Sequence, residues 1–107
     1  MLKRDISVIR LMDADIDDVS SIRALLSDAL SVPAPRVLAD LSGLGELGGS
    51  MIAAMIIASR ELGADGRFAV YAPEHIYKQL VSWGIVDSWS CFGEWEHATA
   101  FLCEDAG

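Results

Sequence analysis

The chain has 107 residues, 52% of them hydrophobic, which suits one domain with a substantial core and leaves no room for a second. Its 16 acidic residues outnumber its 8 lysines and arginines, and the net charge of −8 argues against binding to nucleic acid or to anionic membranes. We therefore expect residues 1–107 to form a single acidic domain.

The sequence predicts no membrane-inserted segment. The longest apolar run covers 51–58 and is far shorter than the ~20 residues that span a bilayer. Asp5 and Arg10 interrupt any apolar region of a secretion signal near the N-terminus. We expect a cytoplasmic protein, in which Cys91 and Cys103 remain thiols and form no disulfide bond.

A strand, a helix and a second strand are predicted in the first half of the chain. The apolar run 6–12 is typical of a buried strand. Asp17 or Asp18 then caps a helix that runs to about Leu30, because apolar residues recur there at every third or fourth position. The second strand is predicted over 36–41.

The second half of the chain alternates helices with short apolar strands, and glycine or proline marks most of the boundaries. Gly63 stands where the first of these helices ends. The predicted elements are a helix from about Ser50 to Leu62, a strand over 67–72, a helix from Pro73 to Trp83, a strand over 88–92 and a helix over 94–102. Successive strand–helix–strand units indicate an α/β or α+β sandwich with right-handed crossovers.

A glycine-rich turn joins the second strand to the helix after it. Gly43, Gly45 and Gly48 match G-x-G-x-x-G, in which small residues let a pyrophosphate approach a helix N-terminus. Too little chain follows to complete a dinucleotide fold, and the next strand ends without the acid that binds ribose. A P-loop lacks its lysine before Ser50. A small-molecule or nucleotide site at this loop is therefore our third hypothesis.

The helix after the loop, and its first serine, each allow two interpretations. Helix 50–62 is apolar on almost every side over its first two turns, which fits a buried helix or one that binds a protein partner. Ser50 is either an N-cap, accepting a backbone hydrogen bond, or a phosphoacceptor, since helix amides and the helix dipole favour a dianion. The local sequence favours the cap.

The other polar residues form no set with catalytic or metal-binding spacing. His75 and His97 have no partner ligand at a suitable distance in sequence. The aspartates of 13–18 lack the glycine and the glutamate of a calcium loop. No Ser-His-Asp or Cys-His arrangement has supporting context. We expect no enzyme, no metal site and no cofactor.

Several segments, taken in order, carry a family resemblance. VLADLSGL is similar to a strand ending in Asp-Leu-Ser-Gly, GGSM to a loop of the type Asp-Ser-Ser-Gly, and GEWEHATAFL to a short closing helix. Across nearly its whole length the chain resembles a STAS domain, the fold of anti-sigma factor antagonists and of the cytoplasmic tails of sulfate transporters. The resemblance implies an α/β STAS-like sandwich: a mixed four- to five-stranded sheet with about four helices, packed mainly on one face.

The resemblance also implies a non-enzymatic regulator of transcription. In bacterial partner switching, such a protein binds an anti-sigma factor kinase and frees a sigma factor, and phosphorylation in the loop reverses the binding. The expected partner is an anti-sigma factor or a related kinase. The predicted docking surface is the loop 45–51, the exposed face of helix 50–62 and the turn 13–18. Its named members are Asp40, Gly45, Gly48, Gly49, Ser50, Met51, Ala54 and Ile57.

The loop departs from the family pattern at the phosphoacceptor. Gly48 stands at the family's aspartate, and Gly49 at the first serine, which is the usual phosphoacceptor. Ser50 stands one residue later. Either Ser50 takes over that role, or this domain is not switched by phosphorylation.

A second hypothesis assigns the domain to another class of assembly. A STAS subunit can also scaffold a membrane ATPase that transports lipid, and the sequence does not separate this role from regulation of transcription. The sequence likewise indicates neither the oligomeric state nor the upstream signal.

Overall fold

The computed structural model describes residues 6–13, 18–31, 35–61, 66–86 and 89–103. Strands and helices alternate along the chain, and every predicted element is present with ends shifted by at most two residues. The elements are β1 (Ser7–Met12), α1 (Val19–Leu30), β2 (Arg36–Gly43), α2 (Gly49–Arg60), β3 (Arg67–Tyr71), α3 (Glu74–Ser82), β4 (Ser90–Phe92) and α4 (Trp95–Cys103).

The four described strands form one sheet in the order β1-β2-β3-β4, and each neighbouring pair is parallel. The α/β sandwich with four helices is thereby confirmed. The expected mixed sheet is corrected for these strands. Each strand is joined to the next by a segment containing a helix, which returns the chain to the same end of the sheet.

The larger core lies on the face of the sheet that α1, α2 and α3 cover. Strand side chains alternate between the two faces, so every second residue of β1, β2 and β3 enters this core. Right-handed crossovers between consecutive neighbouring strands keep the connecting helices on one face. The core includes Ile9, Leu11, Ile22, Leu26, Val37, Leu41, Met51, Met55, Phe68, Val70, Ile76 and Leu80.

The opposite face carries α4 alone among the described helices. Leu38 and Ala69 of the sheet pack with Ala98 and Leu102 of α4, and all four are fully buried. Arg67 attaches the end of this helix, since its guanidinium donates to the backbone oxygen of Phe101 at 3.0 Å and lies 5.1 Å from that ring's centre. The expectation that helices pack mainly on one face is confirmed.

The ends of α1 and α3 carry capping residues that the sequence predicted. Asp18 caps α1, as predicted, and accepts hydrogen bonds from the Ser21 hydroxyl at 2.8 Å and the Ser21 amide at 3.1 Å. Both bonds lower the pKa of Asp18 below its ordinary value, and the bond from the hydroxyl has the larger effect. Gly84 follows α3 with a φ of 73°, a conformation that suits glycine. Gly63, predicted to close α2, lies outside the described residues.

Candidate partner-binding site

The glycine-rich turn lies at the carboxyl end of β2 and leads into α2. Its two leucines are buried, with Leu44 2% and Leu47 6% exposed. Gly45 and Glu46 between them are exposed. The turn is therefore anchored at two points by apolar side chains and presents a short polar tip to solvent.

Three side chains from other elements bind the backbone of this turn. Asp13 accepts a hydrogen bond from the Gly45 amide at 2.8 Å, and Gln79 accepts one from the Leu47 amide at 2.7 Å. His75 donates from Nε2 to the Leu44 carbonyl oxygen at 2.8 Å, because a carbonyl can only accept. The turn is thus tied both to the residue after β1 and to α3.

These bonds argue against a nucleotide at the turn. A phosphate-binding loop needs unoccupied backbone amides, but Asp13 and Gln79 already hold those of Gly45 and Leu47. The Asp13 carboxylate would also repel a phosphate at this point.

The first glycine of the motif has a structural explanation of its own. A Cβ on Gly43 would overlap the Met12 sulfur and lie 3.1 Å from the Leu11 carbonyl oxygen. Gly43 therefore allows close packing against β1. The match to G-x-G-x-x-G does not depend on a ligand.

Asp40 lies beside the turn but faces inward. Only 2% of the residue is exposed; it accepts hydrogen bonds from Arg10 Nε at 3.0 Å and from the Ser42 amide at 2.9 Å. Burial alone raises the pKa of Asp40, but the bonds from Ser42 and the charge of Arg10 together outweigh it, so the pKa lies below its ordinary value. Asp40 is therefore ionised and buried, and its role in binding a partner stays a prediction.

The prediction that Ser50 caps α2 is wrong. The N-cap is Gly48, whose carbonyl oxygen accepts the first helical hydrogen bond from Ile52 at 3.0 Å. Because Leu47 is buried and its amide is held by Gln79, the chain enters the helix two residues before Ser50. Ser50 instead lies exposed in the first turn of α2.

Helix α2 combines both interpretations of its apolar sequence. One face is buried in the larger core, and Met51 (0% exposed) and Ala54 (5%) belong to it. Ile57 is 52% exposed on the other side. Of the predicted docking residues, Gly45, Gly49, Ser50 and Ile57 are exposed and Gly48 is half-buried. Met51 is packed in the core of this chain, and its role in binding a partner stays a prediction.

A groove runs beside Ile57 between α1 and α2, with a volume of about 350 Å³. Ala54 and Ala58 of α2 and Ala24 of α1 line it, and the groove is bounded by the charged side chains of Arg23 and Glu61. The contribution of α1 to this groove was not predicted from the sequence. Small residues recur at helical spacing on both helices, and this pattern could have indicated that a groove lies between them.

The remaining sequence predictions concern the turn 13–18, the two cysteines, metal binding and membrane insertion. Of the predicted turn 13–18, the structure describes Asp13 and Asp18, whereas 14–17 lie outside the described residues. Cys91 and Cys103 are not joined by a disulfide bond, as predicted. Within the described part of the chain, no group of three or more metal-binding side chains comes together, and no helix has the length and apolar character needed to cross a membrane.

Solved structures share this architecture. An anti-sigma factor antagonist from Mycobacterium paratuberculosis superposes with a TM-score of 0.72 at 18% identity, covering 96% of this chain and 92% of its own. An anti-sigma-factor antagonist (STAS) domain protein from Planctomyces limnophilus superposes with a TM-score of 0.71 at 19% identity, covering 91% and 90%. No protein-family model and no curated protein matches the sequence.

The resemblance drawn from the order and spacing of the segments is thus confirmed at the level of the fold. At these identities the likeness establishes architecture, whereas partner and switching mechanism require separate arguments. The chain has the fold of the STAS domain proteins that act as anti-sigma factor antagonists.

Proposed function

We propose that this protein is a non-enzymatic regulatory domain that binds a protein partner in the manner of an anti-sigma factor antagonist. The observation that carries the proposal is the half-exposed Ile57 on α2, beside a groove and close in sequence to the turn 44–48. Exposed apolar side chains that occur singly are common on protein surfaces, but Ile57 also lines a groove between two helices, where a partner's side chain can be buried. The STAS fold supports the same class of function.

The proposed docking surface consists of the turn 44–48, the exposed residues of α2 and the facing side of α1. Ile57, Ala54 and Ala58 supply apolar side chains to the groove, and the charged Arg23 and Glu61 line it as well. Such a mixture of apolar and charged groups is usual in protein interfaces. The net charge of −8 favours a partner with a basic face, and such an attraction weakens with salt.

Ser50 is the residue through which we propose that phosphorylation acts. It is exposed in the first turn of α2, where the helix dipole stabilises an added negative charge on the isolated domain. In the complex the same dianion would have to lose water within an interface, which opposes binding. The modification would therefore release the partner without unfolding the domain.

The test measures binding to purified anti-sigma factors of the histidine-kinase-like class, by capture and then by calorimetry. We expect wild type to bind at least one of them in the presence of its nucleotide. Ile57→Glu and Ser50→Asp should each weaken binding by at least about tenfold, because each places a charge in a desolvated contact.

Val81→Glu is the matched control. Val81 lies on α3 and is 53% exposed, against 52% for Ile57, so the two substitutions introduce the same charge at equal exposure. Binding by Val81→Glu should equal that of wild type. Equal binding by wild type and Ile57→Glu would refute the proposed surface. Capture of permease and ATPase subunits in place of any anti-sigma factor would instead support the lipid-transport hypothesis.

A further inference from the structure

The turn that leads into α2 is rich in glycine and therefore conformationally free as an isolated sequence. Gly45 and Gly48 lie within the turn 44–48, and Gly43 and Gly49 flank it at the end of β2 and the start of α2. Glycine loses more backbone entropy on ordering than any other residue. A docking loop of this composition would bind weakly if it had to be ordered at the moment of binding.

The turn makes little use of its own hydrogen bonds to keep its shape. One backbone bond spans its beginning, from the Leu44 amide to the Leu41 carbonyl oxygen at 3.2 Å. The shorter bonds come from side chains elsewhere in the fold. Two of them, from His75 and Gln79, originate on the same helix four residues apart, so both side chains lie on one face of α3.

Helix α3 is itself fixed to the core. Ile76 and Leu80, each next in sequence to one of the two side chains, are fully buried against the sheet. Gln79 and His75 therefore project from a helix anchored by two buried side chains, and they reach backbone groups on either side of the exposed tip of the turn.

We propose that Gln79 and His75 are positioning residues that hold the turn 44–48 in a binding-ready conformation from α3. Gln79 has the larger part, because it accepts the amide of the buried Leu47 at 2.7 Å, immediately before the N-cap of α2. The importance of this clamp for docking rests on the proposed function, whereas its effect on the conformation of the turn does not. A partner would bind a turn that has already lost its backbone entropy during folding, so that binding does not have to order it.

Two substitutions at one position separate the hydrogen bond from the shape of the side chain. Gln79→Met keeps the length and removes the carbonyl acceptor, while Gln79→Glu keeps an acceptor oxygen in the same place. Hydrogen exchange of individual amides, measured by NMR on the isolated protein, reports the turn through Gly45 and Leu47, whose amides are hydrogen-bonded. The Val70 amide in β3 reports the core.

We expect Gln79→Met to raise exchange at the turn by about tenfold while Val70 changes much less, and Gln79→Glu to restore the protection. Unchanged exchange at the turn, equal acceleration at Val70, or failure of Gln79→Glu to restore protection would each overturn the clamp.

Binding provides the second measurement, on the same variants and on the partner captured by wild type. Gln79→Met should weaken binding by roughly fivefold, and Gln79→Glu should bind like wild type, since ordering the loop again becomes a cost of association. Wild-type affinity in Gln79→Met would overturn the role in docking. If wild type binds none of the anti-sigma factors, the proposed function fails, and the exchange measurement still decides whether α3 holds the turn.

Discussion

Arg10 on β1 and Asp40 on β2 form an ion pair across the two parallel strands, with 3.0 Å between Arg10 Nε and Asp40 Oδ2. The pair is asymmetric, because the Arg10 side chain is 65% exposed and that of Asp40 only 2%. Asp40 also accepts the Ser42 amide at 2.9 Å, near the end of β2. The carboxylate thus joins β1 to the last residues of β2.

Removing the charge of Asp40 should reduce stability at neutral pH. Asp40→Asn keeps an oxygen for the Ser42 amide but loses the attraction to Arg10 and weakens both hydrogen bonds. We expect the free energy of unfolding to fall by about 1–3 kcal/mol, the usual effect of weakening bonds to a buried charged group. Urea denaturation at neutral pH measures this change.

The pH dependence follows from the lowered pKa of Asp40 in the folded state. Its ordinary value is 3.8, so the unfolded chain takes up a proton there while the native carboxylate remains ionised to lower pH. The stabilisation is complete above 3.8 and disappears as pH falls from that value through the folded pKa. The difference between wild type and Asp40→Asn should therefore narrow as the pH falls below 3.8. A difference that stays constant would contradict this assignment.

The glycines of the turn should respond in opposite ways to the same substitution. Gly43→Ala introduces a Cβ that displaces the flexible Met12 side chain and lies 3.1 Å from the Leu11 carbonyl oxygen, and we expect a loss of about 1 kcal/mol. Gly49→Ala is the control, because a Cβ there meets nothing within 4 Å and the residue is already helical. It should be neutral or stabilising by up to about 1 kcal/mol. Equal losses in urea denaturation would contradict the packing explanation.

A negative charge at Ser50 should stabilise the isolated domain. The first turn of α2 has no acidic residue and its N-cap makes no side-chain hydrogen bond, so Ser50→Asp should add about 0.3–1 kcal/mol through the helix dipole. Ser82→Asp, at the last residue of α3, should lose a similar amount because the dipole is reversed there. Both effects should shrink in concentrated salt. The same sign for both variants would contradict the prediction.

Arg67 should contribute to the attachment of α4. Arg67→Met removes the hydrogen bond to the Phe101 carbonyl oxygen and the contact with its ring, and we expect a loss of about 1–3 kcal/mol. In Arg67→Met, hydrogen exchange relative to wild type should accelerate more at the amides of α4 than at those of α2. Lys78→Met, which removes an exposed charge paired with Glu74, is the control and should change stability by less than about 0.5 kcal/mol. Faster exchange in α4 for both variants would argue against a specific role.

The order of the elements and the fold could be predicted from the sequence because both depend on local patterns. Apolar runs, three- and four-residue periodicity and caps such as Asp18 specify strands and helices within short windows. The succession of these segments then points to the STAS fold. The sequence predicted a mixed sheet, but the described strands are all parallel. The relative direction of two strands depends on how the connection between them crosses the sheet, which local patterns do not specify.

The site was predicted less well, because its properties depend on contacts between distant residues. The sequence placed Ile57 and Ser50 on the helix that follows the turn, but it favoured Ser50 as the N-cap and did not show how deeply Met51 and Asp40 are buried. The true cap is set by Leu47, which is buried and held by Gln79, 32 residues further on. The depth of Asp40 is set by its position in a central strand, with neighbours on both sides.

The glycine-rich turn shows most clearly what the sequence determines and what the tertiary structure decides. The local sequence determined that the chain turns there between a strand and a helix, and the spacing of the glycines suggested a phosphate-binding site. Only the folded chain decided that Gly43 lies close against the Leu11 carbonyl oxygen of β1, and that Asp13 and Gln79 occupy the amides of Gly45 and Leu47. Local sequence fixes the conformations that a segment can adopt, whereas the partners of its backbone groups are chosen by the tertiary structure.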